Sequence, residues 1–103
     1  MLPKDIYEKR WVVVGLTFED ACIAMNHIEE TCGKQIQNRI RDNYFMCTEF
    51  TDGTTLRWFS AKDNCCSQRC GKMWCDAHID PYIFKNIVLR MYFGKIEDII
   101  WIT

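Results

Sequence analysis

The sequence predicts an α/β fold: a single-domain sandwich over residues 1–103, with a mixed β-sheet of about five to six strands and two helices. Three observations carry this expectation. A chain of 103 residues has room for one core and not for two. Short β-branched and aromatic runs recur along it, bounded by glycine or polar clusters, and two segments between them place apolar residues at helical spacing. Hydrophobic residues make up 49% and charged residues 26%, the balance of a chain that folds.

Trp11-Val12-Val13-Val14-Gly15 is a β-branched run without alternation, which suits a strand buried on both faces. Thr17 then reads as a helix N-cap with Glu19 and Asp20 in the positive first turn, and Ala21, Met25, Ile28 and Cys32 line one helical stripe. Asn26, Glu29 and Glu30 fall outside that stripe, and Gly33 is the stop signal. Residues 35–43 are polar with isolated isoleucines and fit either a short edge strand or a loop. Residues 44–50 and 55–61 are β-rich runs around Asp52-Gly53, a two-residue hairpin signal. In that register Met46 faces Phe59, Thr48 faces Arg57 and Phe50 faces Thr55, with Phe45, Cys47, Leu56 and Trp58 on the other side of a covered ribbon. Residues 62–71 have the composition of a loop, and Lys72-Met73-Trp74-Cys75-Asp76 reads as a strand ending in a carboxylate. Asp80-Pro81 marks the start of a second helix with the stripe Phe84, Ile87, Val88 and Met91, ended by Gly94. Ile99 to Ile102 lacks polar alternation and predicts a central or fully covered strand.

Thirteen Lys+Arg against fourteen Asp+Glu give a net charge of -1, so no global cationic field favours nucleic acid and no acidic excess imitates it. No apolar run reaches the roughly 18 residues of a spanning helix, and residues 1–10 lack the apolar stretch of a secretion signal, so the host-cell cytosol is the expected compartment. Seven cysteines in such a chain read as thiols, metal ligands or core filler rather than as a disulfide framework.

The densest cluster of chemical groups is Cys65-Cys66-x3-Cys70-x4-Cys75-x2-His78. Its spacing departs from the paired Cys-x2-Cys pattern of zinc sites, and Cys75 falls inside a strand, so the expectation is no metal and a cysteine-tolerant loop beside a core cysteine. Were the cluster to bind zinc, Cys66, Cys70, Cys75 and His78 would be the ligands. Nucleophilic catalysis needs a base beside the thiol. His27 reads as a flank of the first helix, and His78 has no Gly-x-Cys or Gly-x-Ser elbow near it. Residues 14–20 follow the strand, glycine, helix order of phosphate loops, but they carry one glycine, no lysine and two acids.

Residues 52–80 (DGTTLRWFSAKDNCCSQRCGKMWCDAHID) place a hairpin strand, a polar loop with arginine, then three apolar residues and an aspartate in succession. This segment, under a third of the chain, resembles the Walker B end of the ATPase domain of phage large terminases, in the trimmed form of small phage and prophage proteins. The resemblance implies a magnesium-binding position at Asp76. Ala77 stands where that family has its catalytic glutamate, the loop glycine expected near Ser67 is absent, and no Walker A lysine is present, so the resemblance implies a kept shape and a lost reaction.

Lys85, Arg90 and Lys95 give the second helix a basic back that Arg39 and Arg41 could extend, and Arg57 beside Trp58 and Phe59 is a mixture also used to stack single strands. Aromatic residues form 14% of the chain, more than so small a core hides, and Trp, Tyr and Arg dominate binding hot spots. The expected function is therefore that of a noncatalytic phage or mobile-element accessory protein that binds and inhibits a host protein, in the manner of anti-defence or anti-CRISPR inhibitors. Arg57, Trp58, Lys85 and Arg90 are its partner-binding residues. No enzyme activity, cofactor or membrane is expected, the partner is a host protein such as a nucleic-acid-bound defence complex, and self-association is compatible. The alternatives are a metal- or nucleotide-binding domain and a small-ligand sponge acting as a homo-oligomer.

Overall fold

A computed structural model describes residues 7–42, 45–60 and 69–102. The strands are β1 (Arg10–Val14), β2 (Ile36–Arg41), β3 (Met46–Phe50), β4 (Thr55–Phe59), β5 (Lys72–Asp76) and β6 (Ile100–Ile102). They form one six-stranded sheet in the order β2-β3-β4-β1-β5-β6. The valine run of β1 lies at its centre, parallel to β4 on one side and to β5 on the other, and all three valines are buried. β6 runs parallel to β5, whereas β2, β3 and β4 are joined by antiparallel ladders, so the sheet is mixed as the sequence predicts.

Two helices cover opposite faces. The first, α1 (Phe18–Thr31), starts where Thr17 Oγ1 accepts from the Asp20 N–H, and its buried Ala21, Met25 and Ile28 meet Trp11, Val13, Met46, Phe50, Leu56 and Trp74. The second, α2, spans residues 81–91 as an α-helical turn (Pro81–Ile83), a π-helical segment (Phe84–Val88) and a last α-helical turn (Leu89–Met91). Asp80 caps it by accepting from the Tyr82 N–H, and Val88 and Met91 pack on Val12, Val14, Met73 and Cys75. Alternation along β1 and β5 sends successive side chains to the two cores.

Several expectations change. The polar stretch 35–43 is the edge strand β2. Its attachment explains why: Glu29, which the stripe leaves outside, is buried on α1 and takes both Arg39 and Arg41 of β2, together with the Thr48 hydroxyl of β3. Arg39 and Arg41 therefore belong to this ion cluster rather than to the basic back of α2. The hairpin is displaced by one residue, pairing Cys47 with Arg57, Thr48 with Leu56 and Glu49 with Thr55. The Phe50 N–H donates to the Thr54 carbonyl, the Gly53 N–H donates to the Phe50 carbonyl, and Gly53 takes φ 90°, so the loop is the three-residue form with a glycine bulge. That slip puts Met46, Thr48 and Phe50 on the α1 face with Leu56 and Trp58, and leaves Arg57 on the opposite face with Cys47. β6 is an edge strand with Ile100 and Trp101 exposed, because it pairs on one side only and Phe84 covers just one side of Trp101.

Candidate partner-binding face

On the α2 side of the sheet, β1 and β4 lie in parallel register with Arg10 beside Thr55 and Val12 beside Arg57. Alternation thus brings Arg10, Thr55, Arg57 and Phe59 to one surface. Together with Arg69, which precedes β5, they line a hollow of about 370 Å³ whose described lining contains three guanidinium groups.

Each of these arginines lies over an aromatic ring. The guanidinium carbon of Arg10 is 5.6 Å from the Tyr7 centroid, that of Arg57 is 5.4 Å from Phe45, and that of Arg69 is 5.2 Å from Phe93. Tyr7 and Phe93 stack on each other at 4.5 Å with 7° between their planes, which links Arg10 to Arg69 through two rings. Cation–π contacts of this kind hold a guanidinium plane in place. Gly71 makes the Tyr7 side of the array possible. A Cβ there would lie 2.5 Å from the Tyr7 carbonyl oxygen, so only glycine lets the Tyr7–Glu8 backbone cross so closely. Arg57 also meets Cys47, whose thiol is pushed up by burial and partly drawn back by the guanidinium beside it. Phe45 and Phe93 remain exposed, so rings and cations alternate across the surface.

Three guanidinium groups among flat apolar rings make this a cationic, aromatic surface, the composition that recurs at binding hot spots. Of the sequence-predicted residues, the structure places Arg57 here. Trp58 is on the opposite face, half-buried and edge-on to Phe18, while Lys85 and Arg90 stand exposed on α2. Arg10, Arg69, Tyr7 and Phe93 escape sequence reasoning. The alternation of Arg10 with Val12 and Val14 is the one local signal for them, and it becomes informative only once β1 and β4 are known to be neighbours.

The other candidate chemistries are spread out. Cys66 lies outside the described residues. Cys70 and Cys75 are fully buried under α2, and burial, reinforced by Asp76, pushes the Cys75 thiol up to about 12. His78 is exposed beyond β5, and among the described residues no group of three or more His, Cys, Asp and Glu comes together to hold a metal. At the carboxyl ends of β1 and β5 the chain leaves toward opposite faces, the switch point where open α/β sheets bind ligands. There the Asp76 carboxylate accepts from the His78 N–H, and the Ala77 N–H donates to the Ile102 carbonyl. Among the described residues no helix is long and apolar enough to cross a membrane. No family model matches the chain, and no curated protein or solved structure matches it.

Proposed function

We propose that this chain is a noncatalytic accessory protein of phage or mobile-element type, acting in the host cytosol by occupying an acidic surface of a host protein. The observation that carries the reading is the hollow of Arg10, Arg57 and Arg69, each guanidinium seated on an aromatic ring. A net charge of -1 accompanies this local cationic site, which favours a compact acidic patch over the long phosphate track of a nucleic acid. The noncatalytic part rests on the switch point. Ala77 has no carboxylate to orient a water, and Asp76 is engaged with its own turn.

The test is affinity capture from host lysate with wild type and Arg57→Ala, after nuclease treatment, beside thermal melts of both proteins. A discrete protein retained by wild type, released by raised salt and lost on Arg57→Ala with an unchanged melt supports the reading. Capture that disappears with nuclease would replace the protein partner by nucleic acid, which the interleaved rings and guanidinium groups would also suit.

A further inference from the structure

The face of the sheet opposite the arginine hollow carries a second, chemically different surface. α1 covers β1, β4 and β3 there, and beside it a groove opens over β5 and β6. Its wider part, about 390 Å³, is walled by Trp11, Trp74, Ile100 and Ile102, with Ala24 of α1 on the flank and Lys72 at one end. A second hollow of about 240 Å³ continues it toward the start of α1, sharing Ala24, His27 and Ile102 and ending at Leu16 and Asp20. Along its edge, Ile23, His27 and Thr31 recur at i, i+4 and i+8 as an exposed ridge, and Ile23 is 67% exposed.

We propose that the occupant of this groove is the α1 helix of a second copy of the chain, laid antiparallel to form an isologous dimer. Charge decides the partner. The groove carries an acid, Asp20, at one end and a cation, Lys72, at the other. A two-fold axis across the middle of the groove reverses one copy against the other and sets each Asp20 opposite the partner's Lys72, the self-complementarity a closed pair requires. Lys72 is held ready for this by two rings, 4.8 Å from the Trp11 centroid and 5.1 Å from Trp74. Ala24, small and half-buried where the two hollows meet, lets the helices approach, and the Ile23 ridge of one copy enters the apolar groove of the other. This dimer uses the face away from Arg57 and stands independently of the function proposed above.

Sedimentation equilibrium of the full chain tests it. Wild type is expected to be a dimer at micromolar concentration, and Ile23→Glu to be a monomer. Asp20→Lys and Lys72→Glu, each alone, set like charges against each other at both ends and are expected to raise the dimer dissociation constant by about tenfold or more. Mixing the two variants restores both attractions, so they should form a heterodimer with each other. That rescue excludes misfolding as the cause of either loss. A wild type that stays monomeric at the highest concentration reached, or a mixture that shows no heterodimer, overturns the proposal.

Discussion

Glu29 shows how one residue can carry an element that has little apolar surface of its own. Its side chain is 2% exposed and receives Arg39 at two atoms, Arg41 at one and the Thr48 hydroxyl. Burial pushes the carboxyl up, but the Thr48 hydroxyl and the two guanidinium groups outweigh it and hold the carboxyl below its ordinary value. Because the folded form binds the proton less readily than the unfolded chain, this contribution is complete above the usual glutamate value of about 4.3 and is lost as pH falls below it. Thermal melts across that range should show an acid limb in wild type that Glu29→Gln flattens. At neutral pH the same substitution should cost about 2 kcal/mol, less than a fully buried pair because Arg39 is 48% exposed and can rehydrate. Trp58 presents the converse case, since among the described residues its indole N–H is buried without a partner. Trp58→Phe removes that unpaired donor and should change stability by less than about 1 kcal/mol, whereas Trp58→Ala opens a void against Phe18 and should cost about 3 kcal/mol in chemical denaturation.

Among the elements, legibility followed the locality of the cause. β1, α1, β5 and the Asp80-Pro81 start of α2 are set by valine runs, a capping threonine, an i, i+4 stripe and a proline at the first helical turn, all within a few residues of one another. β2 was not decidable because its attachment is a carboxylate on another element, and the hairpin slipped by one because Asp-Gly serves two-residue and three-residue loops alike. The arginine hollow was legible only in part, since Arg57 stands in a readable strand while Arg10 and Arg69 reach it through sheet order. The alternation of β5 has a chemical corollary. Cys75 points into the α2 core with Cys70 beside it, and its raised thiol is protonated at neutral pH, so both should resist iodoacetamide in the folded protein and react after denaturation. Peptide mass spectrometry after timed alkylation reads this directly. Rapid modification of Cys75 at neutral pH would contradict its place in the core.

At the scale of the molecule, the two faces differ in chemistry: arginines and rings on the α2 side, an apolar groove on the α1 side. Between them lies a sheet whose central strand comes earliest in the described chain, with β1 pairing Arg10 to Thr55 on one edge and Trp11 to Lys72 on the other. Those ladders join segments far apart in sequence, so loop closure delays them, and refolding should take roughly milliseconds to seconds, as stopped-flow fluorescence of Trp11 and Trp74 would show. The same order bears on synthesis. As the chain leaves the ribosome, Trp11 to Val14 must wait with both strand edges unpaired until residues 55–59 follow, and with one edge still open until residues 72–76, and a bare apolar β-segment of that kind pairs readily with other nascent chains. The strand that anchors the finished sheet is thus the one a chaperone would have most reason to shield during translation.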